Sequence, residues 1–508
     1  MSRSARRDRP ASGPARAGAE DRPLRVLFVT PEAVPFAKTG GLADVCGALP
    51  RALARLGHEV TVVLPRYQSA TGHFRLLAER TLVMGGRSFA ARFLEAPLEA
   101  GAHAVLVDVP ELYDRRGLYG IGNDDYPDNA VRFALLARAA LFYAGGLAER
   151  RPEVIHAHDW QSGLAPVYLA RQPSGDGAPR PATVFTIHNL AFQGLFPAET
   201  LPAVDLDWDL FTPERLEYWG RVSYLKAGIN FADWITTVSP RYAKEILTPA
   251  YGFGFEGILA ARRDVLTGIL NGADYEHWDP RRDPHLPQPF GPDDLSGKLQ
   301  AKAELLRAMR LPAEGEALDR LTIGMVSRLT EQKGFDLVEQ AAPDLLALEA
   351  TYVLLGSGEE RFERFWSDLA ARHPERVAAR IGFDDPLAHL IIGGADALLM
   401  PSRFEPCGLN QMYALRYGTV PIVRATGGLD DTVVNYNERS GRGTGFKFIE
   451  YTPGALVRAV RRALRVFRRR AEWRELQLAG MRQDFSWDAS AREYVKVYRK
   501  ALALARGS

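Results

Sequence analysis

Two cations five residues apart, Arg328 and Lys333, share a loop that ends in Gly334 and follows the apolar stretch 321–327. An arginine can grip an anionic group through two parallel N–H bonds, and a lysine adds a compact point charge. Converging from one loop, they match a diphosphate; a solvated loop would use the same residue types. Lys38 precedes Gly40 and Gly41 at another strand-to-helix junction. There, missing side chains let a ligand approach the backbone, and the helix start favours an anion. The bland reading of that stretch is a helix cap beside a surface lysine. The chain carries 9 lysines against 55 arginines, so a lysine at both junctions runs against a strong bias.

Further candidates stand where apolar runs end. Glu405 lies in Ser402-Arg403-Phe404-Glu405-Pro406-Cys407-Gly408, placed to accept hydrogen bonds from sugar hydroxyls. The helix starting near Gly408 and the turn Thr426-Gly427-Gly428 would supply backbone N–H donors. His156-Ala157-His158-Asp159 puts two imidazoles on one face of a strand, which invites a metal. No third and fourth ligand lie nearby in sequence, so no metal is expected. Asp205-Leu206-Asp207 lacks an apolar strand before it and reads as a solvated loop.

The elements that must hold these residues alternate. Apolar runs at 24–30, 60–64, 154–158, 183–187 and 234–238 read as strands, and Leu42, Val45, Cys46, Leu49, Leu53 and Leu56 recur at helical spacing after the first. A second series runs through 321–327, 352–355, 397–400 and 420–423. Such alternation predicts parallel sheets with helices on both faces, and ligands beyond the carboxyl ends of the strands. Asp159, His188, Asn189 and Ser239 fall at those ends. Two such domains side by side would leave a cleft between them, with a junction near Asn271-Gly272. The arginine-rich run 458–470 keeps Leu456, Val460, Leu464 and Phe467 in register as the buried stripe of a helix.

Composition narrows the class. A net charge of +2 argues against nucleic acid as the main partner. Two cysteines, Cys46 and Cys407, in different domains cannot form a disulfide framework and fit a reducing cytoplasm. No apolar run approaches the length of a membrane helix. Residues 1–22, rich in Arg, Ala, Pro and Gly, read as a disordered extension without a signal-peptide core.

Taken in order, Lys38-Thr39-Gly40-Gly41-Leu42-Ala43-Asp44-Val45, His156-Ala157-His158-Asp159-Trp160, Thr186-Ile187-His188-Asn189-Leu190, Val326-Ser327-Arg328-Leu329-Thr330, Gln332-Lys333-Gly334, the Glu405 segment and Thr426-Gly427-Gly428-Leu429 resemble the bacterial glycogen synthases and plant starch synthases. The resemblance implies an α/β GT-B fold: two Rossmann-like, doubly wound parallel-sheet domains facing a deep cleft. It divides the chain into the extension 1–22, an acceptor-side domain 23–266, a hinge 267–278, a nucleotide-sugar domain 279–483, and a C-terminal helix 484–508 crossing back. It implies retaining glucosyl transfer from ADP-glucose to glycogen or another α-1,4-glucan, in the cytoplasm and without cofactor or metal. Carried over residue by residue, Arg328 and Lys333 hold the diphosphate as it leaves, with Lys38, Gly40 and Gly41 contributing from the other domain. Glu405 contacts the donor glucose and His188 its 6-hydroxyl. Cys407, Gly408, Thr426, Gly427 and Gly428 complete the donor site, with Asn271 beside it. Asp44, Asp159, Tyr119 and Asn189 line the glucose and acceptor region. Tyr413 stands eight positions after Glu405, where many related retaining enzymes carry a second glutamate; this favours glucan synthesis over sucrose-, trehalose- or mannose-type transfer. The alternatives are a retaining transferase with another donor or acceptor, a silent glucan-binding protein on the same fold, and a pyridoxal-phosphate phosphorylase.

Overall fold

A computed structural model describes residues 22–122, 124–172 and 179–507. The expected extension therefore lies outside the described residues except for its last member, Arg22, whose guanidinium is paired with Glu153.

The upstream lobe is built on a nine-stranded sheet. From one edge its strands are Leu266–Gly268, Trp234–Thr237, Ala182–Ile187, Val154–His158, Arg25–Val29, Glu59–Pro65, His103–Asp108, Arg87–Pro97 and Arg75–Met84. The first seven run parallel, as their near-continuous apolar composition demands when both faces are covered. The last two are antiparallel, so the expected all-parallel sheet needs correcting at this edge. Gly85 and Gly86, at φ 57° and 72°, make the tight turn between them. Phe89, Ala91 and Phe93 alternate inward along the inner strand of this hairpin.

The downstream sheet is parallel throughout, in the order Val377–Ile381, Ala350–Gly356, Leu321–Val326, Ala397–Met400, Val420–Arg424 and Phe446–Phe448. The arginine-rich run forms the helix Pro453–Phe467, with Leu456, Val460, Leu464 and Phe467 buried against this sheet. Between the sheets, Thr267 and Gly268 still belong to the upstream edge strand. Trp278 is stacked between His389, 3.6 Å away, and Tyr413, 4.4 Å away. Tyr413 is thus an aromatic support for the connecting segment.

The helix Trp487–Gly507 returns from the downstream lobe to the upstream one. Trp487, Ala491, Tyr494, Tyr498, Ala501 and Leu502 join the core beneath Gly41–Arg55 and Ala182–Ile187. The Asp205 and Asp207 carboxylates are structural: Asp205 accepts from the Gly85 N–H and pairs with Arg138, and Asp207 pairs with Arg171.

Candidate active site

The carboxyl ends of both sheets open onto one cleft of ≈ 1460 Å³. Lys38, Gly40, Gly41, Asp44, Tyr119, Asp159, His188 and Asn189 reach it from the upstream lobe. Asn271 lines it near the junction, and Arg328, Lys333, Glu405, Cys407 and Gly408 line it from the downstream lobe. Residues up to 370 positions apart in sequence thus face one space because both lobes point the same ends of their strands inward.

In the downstream wall, the strand Leu321–Val326 delivers Arg328 at its end, and one turn of 3₁₀ helix, Glu331–Lys333, carries the lysine. Gly334 closes that turn at φ 82°, pressed so tightly on the Pro401 carbonyl that a Cβ would lie 2.2 Å from its oxygen. This contact locks the cation loop to the strand end leading to Glu405. Lys333 Nζ donates to both carboxylate oxygens of Glu405, at 2.8 and 2.6 Å, and the Ser402 hydroxyl donates to Oε2 at 3.0 Å. Glu405 is buried, so this pair satisfies a charge that burial would otherwise penalise. Arg328 is exposed in the cleft and makes no ion pair among the described residues. Its guanidinium is available to an anionic ligand.

The upstream wall contains a residue that the motif reading passed over. Glu32, buried beyond the end of the first strand, accepts the Thr39 N–H, the Thr39 hydroxyl at 2.6 Å and the Tyr119 hydroxyl. One carboxylate therefore fixes the Lys38–Gly41 loop and Tyr119 together. The strand-end rule that singled out Asp159 and His188 applies equally to Glu32. A Cβ on Gly40 or Gly41 would meet nothing within 4 Å; the space beside this backbone is open for a ligand. Lys38 is held by Asp44 at 2.7 Å. Burial raises the Asp44 carboxyl above its ordinary range, and Lys38 opposes that rise.

Behind these residues sits a stack of imidazoles. Asp159 occupies a left-handed backbone conformation, φ 54°, and its carboxylate accepts the His188 N–H at 2.7 Å. Strain of this kind persists only where surrounding contacts enforce it. Burial pushes the Asp159 carboxyl up to about 7 against the backbone donors of His188 and Asn189. His188 Nε2 meets His158 Nδ1 at 3.0 Å, and burial lowers the His188 imidazole to about 3. His156 engages Thr186 at 2.6 Å and Tyr498 at 2.9 Å. These partners use both nitrogens of His156 and orient neutral rings. Asn271 Oδ1 is buried without a hydrogen-bond partner at the edge of the cleft.

Thr426, Gly427 and Gly428 do not reach the cleft surface, and their expected role as free donors needs correcting. The Gly427 N–H and the Thr426 hydroxyl donate to Glu245 Oε2 of the upstream lobe at 3.0 and 3.2 Å. The Gly428 N–H is taken by the carbonyls of Glu405 and Pro406. Gly427 sits at φ 43°, and a Cβ there would lie 1.9 Å from the Glu405 carbonyl oxygen. The turn instead buttresses the Glu405 segment from behind. The arrangement is reciprocal across the lobes: Asp431, on the helix that follows Thr426, accepts the Ser239 hydroxyl and the Arg241 N–H at 2.7 and 2.8 Å. Each of two short helices is capped by a carboxylate from the opposite lobe. Cys46 and Cys407 are free and buried.

Comparison with known proteins agrees with this architecture. Residues 25–261 match the starch synthase catalytic domain model, and residues 311–476 match the model of glycosyl transferases group 1. A glycogen synthase of Anaeromyxobacter dehalogenans (strain 2CP-C) is 52% identical over 483 residues, covering 94% of this chain and 99% of that one. The chain belongs to the glycogen and starch synthase family. Another member, the glycogen synthase of Koribacter versatilis (strain Ellin345), is 47% identical over 484 residues, covering 94% of this chain and 98% of its own. The catalytic domain of starch synthase IV from Arabidopsis thaliana, solved bound to ADP and acarbose, superposes with a TM-score of 0.86 at 32% identity over 95% of this chain and all of that one. A sucrose-phosphate synthase from Thermosynechococcus elongatus shares the fold, with a TM-score of 0.59 at 18% identity over 94% of this chain and 99% of its own. The chain is a GT-B glycosyltransferase.

Proposed function

We propose that this chain transfers glucose from ADP-glucose to the non-reducing end of an α-1,4-glucan, with retention at the anomeric carbon, as a cytoplasmic step of glycogen synthesis. The observation that carries the reading is the placement of Arg328, Lys333 and Glu405 on one wall of a cleft whose other wall presents Lys38, His188 and the open Gly40–Gly41 backbone. As the glycosidic C–O bond breaks, positive charge grows on the sugar and negative charge on the departing phosphate. Cations already fixed by the fold stabilise what changes most during the reaction. Arg328 and Lys333 are placed to hold the diphosphate, and a diphosphate leaving group needs little help from an acid. With Lys333 bridging to Glu405, the same lysine can meet the phosphate while the glutamate accepts hydroxyls of the donor glucose. His188, neutral and oriented by His158, offers its remaining nitrogen to the 6-hydroxyl. The departing phosphate oxygen then takes the proton of the incoming glucan hydroxyl on the same face, which gives retention without a metal or cofactor. Closure of the lobes would exclude water and protect the donor from hydrolysis.

Two family relatives are named glycogen synthases, and the solved starch synthase was bound to ADP; both support the donor assignment. The test is a panel of ADP-glucose, UDP-glucose and GDP-mannose with glycogen as acceptor, read as incorporated sugar with and without chelator. Incorporation from ADP-glucose at least tenfold above the others, unaffected by chelator, is expected. Preference for another donor, or loss of transfer on chelation, would overturn the assignment.

A further inference from the structure

The strand pair Glu217–Tyr218 and Arg221–Ser223 is joined by Trp219 and Gly220. Tyr218 pairs directly with Arg221, so this is a two-residue hairpin turn, and both turn residues are left-handed, at φ 52° and 76°. Such turns favour Asn-Gly or Gly-Gly, because a bulky side chain resists positive φ at the first position. A tryptophan stands there, and 84% of it is exposed. Among the described residues its one aromatic neighbour is Tyr218, edge-to-face with ring centroids 6.2 Å apart. At that exposure the fold gains little packing from this side chain, and the turn would form more easily without it. A residue that breaks a local rule with no packing return points to function.

Its surroundings say what function. Arg221 on the same hairpin lines the cleft, as do Leu195, Phe196 and Pro197 on the strand paired with it. On the other side, the Tyr218 hydroxyl donates to the Phe253 carbonyl at 2.7 Å. Phe253 is a second part-exposed aromatic at positive φ, 50°. Its ring meets Phe404, the neighbour of Glu405, edge-on at 5.4 Å. A series of aromatic contacts therefore runs from Phe404, next to the cleft-lining Glu405, through Phe253 and Tyr218 to Trp219. A flat ring held in solvent beside a sugar-transfer cleft suits the apolar C–H faces of pyranose rings better than a charged partner. We propose that Trp219 is a stacking platform for the outer glucose units of the acceptor glucan, beyond the units inside the cleft. The proposal rests on the glucan reading above.

The experiment compares wild type with Trp219→Ala and Trp219→Phe, using maltotriose, maltoheptaose and glycogen as acceptors. An aromatic stacking contact of ordinary strength corresponds to about a 3- to 10-fold change. Trp219→Ala should raise KM for maltoheptaose and glycogen by about that factor. kcat, KM for ADP-glucose and KM for maltotriose should stay within about twofold, and Trp219→Phe should recover most of the loss. In the absence of donor, maltoheptaose should quench tryptophan fluorescence in wild type and far less in Trp219→Phe. Equal KM values for wild type and Trp219→Ala on every acceptor would overturn the platform, as would a rise that includes maltotriose. A fall in molecular mass on light scattering for Trp219→Ala would assign the patch to contact between copies instead. Quenching that depends on Trp219 in a wild-type enzyme that transfers no glucose would fault the proposed reaction while supporting the platform.

Discussion

Replacing Lys333 with alanine tests the site where its geometry is tightest. In the structure Nζ makes two charge-assisted bonds to Glu405, whose only other side-chain partner among the described residues is the Ser402 hydroxyl at 3.0 Å. Breaking a fully buried pair by removing one member costs about 3–5 kcal/mol. Here Lys333 keeps 19% of its side-chain exposure and faces an open cleft, so water can reach the vacated position. The stability loss should therefore be nearer 1–2 kcal/mol, a level at which the fold survives. On the proposed reaction catalysis should suffer more, because the same ammonium would stabilise charge that exists only as the phosphate departs. Loss of one such preorganised group typically lowers kcat by about 10²–10³. Initial rates with saturating ADP-glucose and glycogen, beside a thermal melt, separate the two effects. Lys333→Arg should retain more stability than activity, since a planar fork does not reproduce a point charge between phosphate and carboxylate. A folded Lys333→Ala enzyme whose kcat stays within about threefold of wild type would refute the assignment of the leaving-group role to this side chain.

Two other outcomes follow from buried charge. Burial raises the folded Asp159 carboxyl to about 7, above its unfolded value, so its contribution to stability is complete below about pH 4 and is lost as pH rises through 7. Thermal melts of Asp159→Asn, which keeps an acceptor for the His188 N–H, should fall less between pH 5 and 8 than those of wild type; parallel curves would contradict this. The buried imidazoles act in the opposite sense. His188, lowered to about 3, contributes stability above its unfolded value and loses it as pH falls below about 6.5. For the reciprocal caps between the lobes, Glu245→Gln and Asp431→Asn should each lower kcat/KM several-fold, with about 1 kcal/mol lost per cap. Small-angle scattering should report a larger radius of gyration for the double variant, and an unchanged radius with unchanged kinetics would dismiss the caps as a clamp.

Much of the architecture was legible because parallel strands buried on both faces write themselves as short apolar runs, and ligands collect at their ends. That rule placed Asp159, His188 and Asn189 at one cleft, whereas Ser239, at the same kind of strand end, instead donates to Asp431 of the other lobe. The antiparallel hairpin at the sheet edge was missed: its outward faces carry Arg and Glu, so the runs are broken, and only the Gly85-Gly86 turn announced it. Glu32 was missed for a different reason. The strand-end rule points to it as much as to Asp159, but no motif marks it, and its bond to Tyr119, 87 positions away, leaves no local trace. The same limit explains the Thr426-Gly427-Gly428 turn. Glycines mark a close approach, yet sequence does not say whether a ligand or, as here, the protein's own Glu405 backbone and Glu245 carboxylate does the approaching.

The returning helix makes assembly order a matter of chemistry. Tyr498, emerging from the ribosome after every strand of both sheets, supplies the hydroxyl that completes the hydrogen bonding of His156, on the central strand Val154–His158 of the upstream lobe. Until that tyrosine arrives, the nascent upstream lobe holds an imidazole with one nitrogen unanswered and an apolar trough where Ala491, Tyr494 and Ala501 will lie. Synthesis of the downstream lobe thus becomes a waiting period for the upstream one, and truncations that spare the whole cleft but remove the final three turns should yield chains that chaperones retain.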